Sequence, residues 1–424
     1  MKRRTFFKKL GISFAATSNL AALLSAGLLA PKFAGAKSML SNNSNILVLI
    51  QLHGGNDGLN SVIPLDGYDN LVNLRKNIII KENDIIKVSD TLGFHPKLAE
   101  ISQMFLDGDF GIIQNVGYEL QNRSHFRSMD IWNSGSPSDQ QWSTGWLGRY
   151  LDNLHEGYPV NYPSESFKDP LAINIGNIVA DTCQGVSANY SYALDNLKNT
   201  RIIDEHEVYK QNLNNEFLKE LQFLNSSTVL ANAYTKRVET AAEKGSNVGN
   251  YPDNNNLAQQ LKMVAKLISG GLTTQIYTLT LSGFDTHAYQ TMEDTNEGFH
   301  AVLLKQLSQA VYAFQNDLKQ LGLSHRVMGM TYSEFGRQIK SNSANGTDHG
   351  NAAPIFLFGS RLKQQVIGKN PVIHKTVEDQ TGLPVELDFR DVYSSVLVDW
   401  MKTDKKMVDE VFKRPSTIIP ISKA

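Results

Sequence analysis

Ile46-Leu-Val-Leu-Ile-Gln-Leu52 is apolar at six of its seven positions. A strand with only one face buried would alternate polar and apolar residues. A continuous run marks a strand covered on both faces, as in the centre of a parallel sheet. The chain must therefore supply helices for two faces. The helical periodicity over 96–107, with Pro96 at its start and Gly108 after it, precedes a second apolar run at 111–116. Strand, helix, strand in this order predicts a parallel α/β unit. Further strands are expected at 172–175, 275–281, 326–332 and 354–358. Helices are expected at 124–133, 144–154, 204–244, 257–268 and 299–321, with a final helix at 389–401. Residues 64–93 read as loop-rich with short β-prone pieces around Ile78 to Ile80. A short β-hairpin region is expected after Phe358.

The first 36 residues read as an export signal rather than part of this fold. A basic start, Met1 to Lys9, leads into an apolar, small-residue stretch from Leu10 to Leu29, and Ala34-Gly35-Ala36 fits a cleavage site. Arg3-Arg4-x-Phe6-Phe7-Lys8 resembles the twin-arginine motif. The twin-arginine translocase is then the expected export partner, and the address periplasmic or otherwise exported. The other readings are an ordinary secretory signal or an uncleaved anchor. The whole chain carries formal charge −1; residues 1–36 hold six basic residues and no acid, so residues 37–424 would carry −7. That balance argues against nucleic acid as a partner. No later segment is long and apolar enough to span a membrane. Cys183 is the only cysteine, which excludes an intramolecular disulfide and a cysteine-rich zinc site. Any metal must be held by oxygen and imidazole.

Residues 37–424 are expected to form one large α/β domain. The stretch 155–256, irregular and then helical, reads as an insertion or cap over the strand ends. In such sheets ligands bind beyond the carboxyl ends of the strands. Three polar loops follow strands: His53 to Asn60, Ser282 to His287, and Ser333 to Arg337. A fourth, Asn345 to Asn351, precedes its strand, so it is expected to fold back over the edge.

These loops hold the chemistry. Asp285 and His287, two apart in extended chain, face the same side and make a half-site for a divalent ion. Their alternative is a turn with a structural histidine. Glu334 is a further ligand, or caps a turn, or pairs with Arg337. His349 is read as a ligand, with Asp348 as a second ligand or as its orienting partner. Asp57 is the natural ligand of its glycine-rich loop, or closes an Asx-turn. Ser124 stands at an expected helix N-terminus, where backbone N–H groups favour anions. It is a nucleophile or an ordinary cap, with Arg123 and Arg127 near enough in sequence to grip an oxyanion. The expected metal set is thus Asp57, Asp285, His287, Glu334, Asp348 and His349. The ion is zinc first, with calcium, magnesium or manganese as alternatives.

Gly54-Gly-Asn-Asp-Gly-Leu-Asn60, Arg123-Ser-His-Phe126, Asp130-x-Trp132-x-Ser-Gly135, Phe284-Asp-Thr-His287, Ser333-Glu-Phe-Gly-Arg337 and Asp348-His-Gly350 occur in this order. Together, and over essentially all of residues 46–403, they resemble the exported "domain of unknown function 1501" family, whose members are largely bacterial and lack assigned substrates. That family is similar to a branch of the alkaline phosphatase and sulfatase superfamily. The resemblance implies an alkaline-phosphatase-like layered α/β/α fold with a largely parallel sheet and a helical insertion. It implies a metal-dependent hydrolase of phosphate or sulfate esters, acting on a small molecule or a glycan. The superfamily's nucleophile falls on Ser124 or His125. Phe335 stands where a metal ligand would be expected. The alternative class is a non-catalytic periplasmic protein that keeps the fold to bind a ligand or partner.

Overall fold

The computed structural model describes residues 44–159, 162–197 and 216–423. The expected export signal and residues 204–215 of the expected helix lie outside the described residues. The main sheet has nine strands. In chain order its strands are β1 (Ile46–His53), β5 (Phe110–Gly117), β6 (Ala172–Ile175), β7 (Ser191–Leu194), β8 (Ile276–Ser282), β9 (Val327–Tyr332), β10 (Ala353–Phe358), β11 (Val366–Ile367) and β12 (Leu387–Asp388). The missing numbers belong to a small antiparallel sheet of β2 (Val62–Pro64), β3 (Ile86–Lys87) and β4 (Leu92–Phe94). Strands therefore form on either side of Ile78 to Ile80, where β-prone pieces were expected, while Ile78 and Ile80 are simply buried.

Across the main sheet the order is β11-β5-β10-β9-β1-β8-β6-β7, with β12 beside β5. β1 lies centrally and pairs in parallel with β8 and β9. It fills two cores at once. Ile46, Val48, Ile50 and Leu52 enter a cluster built with α3 (Ala99–Leu106), α7 (Asn256–Ser269) and α8 (Phe299–Gln320). Leu47 and Leu49 enter a second cluster on the other face. There they meet α4 (His125–Ser134), α5 (Trp146–Leu154), α9 (Phe389–Ser395) and α10 (Lys405–Phe412). Two apolar faces with helices over both give the three-layered α/β/α arrangement that the unbroken apolar run requires. Each such side chain contributes about 1.5–3 kcal/mol when fully buried. The remaining helices are the short α1 (Gly58–Ser61) and α2 (Tyr68–Leu74), and the long α6 (Glu216–Lys244).

Four expectations meet a different arrangement. First, β10 does not need a loop folded back over the sheet edge. It runs antiparallel to both β5 and β9, so its start lies at the edge where β1, β5, β8 and β9 end. Second, the described part of 155–256 contributes strands and a helix to the main layers. β6 and β7 extend the main sheet, and Val238, Ala241 and Ala242 of α6 join the core beside α7. Third, no hairpin follows Phe358: β11 and β12 each pair in parallel with β5. The last helix is also α10, not the segment that begins at Phe389, which passes into a π-helical turn over Val396–Trp400.

The sheet leaves no room at Gly329. A Cβ there would lie 1.8 Å from the Phe358 ring across the β9–β10 pair. Gly329→Ala is expected to cost about 1–3 kcal/mol by overpacking, read as a lowered urea midpoint. Phe358→Leu in the same chain should restore part of the loss.

Candidate metal centre

The reversed β10 brings the fourth loop to the other three, and the segment after β5 arrives at the same edge. Glycines let the loops touch. Gly54 and Gly55 take φ of +124° and +88°, which favour glycine. A Cβ on Gly54 would stand 2.2 Å from the Asp285 amide nitrogen, and one on Gly55 would enter the Phe335 ring.

Arg337 ties this crossing together. It is fully buried. Its Nε donates to Gly55 O (2.8 Å) and its Nη1 to Thr347 O (2.9 Å). Its Nη2 donates to Gly54 O, to Phe284 O (2.9 Å) and to Asp285 Oδ1 (2.8 Å). Burial pushes the Asp285 carboxyl up, but Arg337, with His349 and His287, outweighs it and takes the pKa from 3.8 to about 2. The expected Glu334–Arg337 pair is replaced by this Asp285–Arg337 pair.

Around Asp285 three imidazoles converge. His287 Nε2 is 3.1 Å and His349 Nε2 3.2 Å from Asp285 Oδ1, and the two Nε2 atoms are 2.9 Å apart. His125 Nε2 lies 3.4 Å from Asp285 Oδ2. The ligand atoms of His125, Asp285 and His349 all lie within 4.8 Å of one another. Each ring is held from behind through Nδ1. His287 Nδ1 donates to Asp348 Oδ1 (2.6 Å), His349 Nδ1 to the Arg123 carbonyl (2.8 Å) and His125 Nδ1 to Glu334 Oε1 (2.9 Å). The partners are a carbonyl and two carboxylates, which only accept, so Nδ1 carries the proton in each ring. In the neutral imidazoles every Nε2 then presents a bare lone pair toward Asp285, and those of His287 and His349 also face each other. Such a set of acceptors repels itself until a cation or added protons lie among them.

Three imidazole nitrogens and one carboxylate oxygen fit zinc or another nitrogen-preferring divalent ion. They do not fit calcium or magnesium, which take oxygen donors. The clamps on Nδ1 are the outer partners that metal-bound histidines require.

The expected residues therefore divide. Asp285, His287 and His349 come together. His125, read as a possible nucleophile, faces the same point through Nε2. Asp348 and Glu334 are clamps, and Asp348 holds His287 rather than its neighbour His349. Glu334 is buried and also accepts the Gly54 amide at 2.9 Å. Asp57 is not part of the group. Its Oδ2 accepts from Arg75 (2.7 Å) and Gln290 (2.6 Å), and its Oδ1 from the Leu59 amide (3.2 Å) as the N-cap of α1.

Ser124 caps α4 with no side-chain cap bond and is exposed. Arg123 places Nε and Nη2 on Asn351 Oδ1 at 3.1 and 3.0 Å. Arg127 is engaged elsewhere, by Asp130 and the carbonyls of Ser138 and Gln140. Phe335 packs against His349 and His125 at ring-centroid distances of 4.5 and 5.0 Å. It fills the side on which a further ligand would sit. The residue that sequence reasoning undervalued is Arg337. Its signal was a lone basic residue closing an otherwise uncharged turn after Glu334.

A family model described as "Protein of unknown function (DUF1501)" matches residues 46–412. The chain belongs to that family. The match takes in all four loops and the α4 segment, so the whole centre lies inside the family's own span. No curated protein matches. Among solved structures the chain is similar to the lipoteichoic acid synthase LtaP from Listeria monocytogenes, at 9% identity over 86% of this chain and 76% of that one, TM-score 0.33. It is similar to the zinc-complexed C-terminal periplasmic domain of EcEptC from Escherichia coli, at 9% identity over 76% and 74%, TM-score 0.34. It is also similar to the PsFucS1 sulfatase from Pseudoalteromonas sp., at 11% identity over 92% and 75%, TM-score 0.32. Likenesses this distant carry nothing about the chemistry, which rests on the side chains above.

Two sets of variants check the assignment. Purified protein should bind one zinc ion, read by elemental analysis and titration. Glu334→Gln, which weakens a clamp, should lower zinc affinity about 10–100-fold. Asp57→Asn should leave affinity unchanged while destabilising the fold. Arg337→Met should cost about 3–5 kcal/mol, because it leaves Asp285 and four carbonyls without their donor. The depressed Asp285 pKa adds stability that is full above the ordinary 3.8 and is lost as pH falls toward 2. Arg337→Met should flatten that stretch of the stability–pH curve.

Proposed function

We propose that this protein is an exported, metal-dependent hydrolase of phosphate or sulfate esters. The observation that carries it is that the ligand atoms of His125, Asp285 and His349 lie within 4.8 Å of one another, with His287 Nε2 3.1 Å from Asp285 Oδ1. His125, Asp285, His287 and His349 would hold the ion. A bound divalent ion there would supply positive charge that stabilises an oxyanion.

The chain's own groups supply the rest. Ser124 stands between Arg123 and His125, both part of the centre. Its Oγ makes no cap bond, which leaves it free to attack phosphorus or sulfur. An Oγ–phosphorus or Oγ–sulfur bond would form as the ester bond to the alcohol breaks. The alcohol leaves with a proton, and water then releases the inorganic anion from the serine. The first N–H groups of α4 and the Arg123 guanidinium face charge that grows on the oxyanion. Arg123 has no carboxylate partner among the described residues, and burial lowers its pKa. A cation so placed favours an anionic ligand.

Export rests on the reading of residues 1–36, with the twin-arginine translocase as the carrier. Among the described residues no helix is long and apolar enough to cross a membrane. The second reading, a binding protein that keeps the fold without turnover, is favoured by Phe335. Its ring lies against His125 and His349 and offers no ligand for a second ion.

Metal analysis coupled to a panel of phosphate and sulfate esters separates the two. Turnover that follows metal content supports the hydrolase. Metal and inorganic anion bound without turnover of any ester establishes the binding protein. With a substrate in hand, Ser124→Ala should abolish turnover while metal content stays that of the parent. Its stability should change by less than the ~1 kcal/mol of a lost cap, since no cap bond is made. Full activity in Ser124→Ala would leave Ser124 as a plain helix start.

A further inference from the structure

Beside the metal centre a cleft of about 830 Å³ opens along the segment after β5. That volume lies within the ~300–1,000 Å³ range of ligand sites. The cleft is lined by Glu119, Leu120, Arg123, Asn351, Val385 and Glu386, among others. It adjoins the centre through Arg123 and Asn351. The Arg123 carbonyl holds His349, and Asn351 follows His349 by two residues.

We propose that this cleft holds the alcohol half of the ester, and that the alcohol is a hydroxyl-rich, sugar-like unit. The proposal rests on the hydrolase reading above and narrows its substrate. The lining decides the class. A lipid chain needs an apolar trench, and only Leu120 and Val385 offer apolar surface. A nucleobase needs an aromatic face to stack on. The one aromatic residue of the lining, Tyr118, is buried, with its hydroxyl bonded to Ser128. A polyanion would meet Glu119 and Glu386. Neither is ion-paired among the described residues, whereas Asp388, also in the lining, is paired with Arg390.

A polyol matches what remains. Its hydroxyls donate to the two carboxylates and accept from the free N–H groups of Arg123 and Asn351. Its C–H face rests on Leu120, a leucine 80% exposed and held outward at φ +56°. The arrangement also orders the substrate. The anionic ester lies at the anion-favouring end beside Arg123, and the neutral ring points outward toward Glu119 and Glu386.

The test uses the full, metal-loaded protein and three esters of the same acid: a hexose 6-phosphate or 6-sulfate, the hexyl ester and the methyl ester. The hexose ester should exceed the hexyl ester in kcat/KM. Its advantage over the methyl ester should fall about tenfold in the Glu119→Gln, Glu386→Gln double variant, the size expected from weakened charged hydrogen bonds. A hexyl ester preferred over the hexose ester, or an unchanged ratio in the double variant, overturns the proposal. An independent arm titrates free hexose and disaccharide into metal-free protein and follows the Asn351 side-chain amide signals. Shifts there that vanish in the double variant support the cleft even if no ester is turned over. In that case failure to bind inorganic phosphate or sulfate counts against the hydrolase reading alone. Absence of both shifts and sugar-ester preference sinks the cleft assignment.

Discussion

The centre depends on one buried guanidinium. Arg337 reaches four backbone carbonyls and one carboxylate, on loops that come from β1, β8 and the approach to β10. Buried carbonyls without donors are costly, so the loops cannot drift apart singly. The planar fork of arginine suits this work, since its N–H groups diverge in one plane. Lysine offers three donors on a single nitrogen and could not serve five acceptors around a crossing. The same group also keeps Asp285 charged. One residue therefore sets both the shape of the site and the charge of its carboxylate.

Around that knot the charges are arranged for convergence. The buried Glu334 is tolerable because it accepts from a backbone amide and an imidazole. Asp57, equally buried, is satisfied by Arg75 and Gln290 beneath the loop. Behind it His300 is buried and kept neutral, with a pKa pushed down to about 4. The acids of the region thus split by role. Those with a cationic or amide partner stiffen the loops, and those facing an imidazole fix its tautomer. Asp285 alone is shared between the arginine and the histidine cluster.

Much of the fold was legible because the apolar runs are long and unambiguous. The central strand, the two covered faces and most helix boundaries follow from periodicity. The direction of β10 was not legible, since periodicity says where a strand lies and not which way it runs. The share of 155–256 in the main sheet was not legible for a related reason. Ala172–Ile175 and Ser191–Leu194 are four residues each, too short to announce membership of the main sheet. Within the site, Asp285, His287 and His349 were found because two-residue spacing and glycine flanks are local signals. The roles of Asp57, Asp348 and Glu334 depended on partners far away in sequence. Asp57 meets Gln290 across 233 positions and Glu334 meets His125 across 209. His125 entered only through the resemblance, because nothing local reveals that its ring points back at Glu334.

The reversed strand has a consequence for the timing of synthesis. β10 is slotted between β5 and β9, although it is made well after β5. Until the ribosome has released the segment around residue 353, the sheet holds a gap between β5 and β9 where that strand belongs. A nascent chain that has already formed β1, β5, β8 and β9 still lacks His349, and also Asp348, the carboxylate that orients His287. The centre is thus a property of the nearly finished chain, closed by contacts of long sequence separation that form slowly.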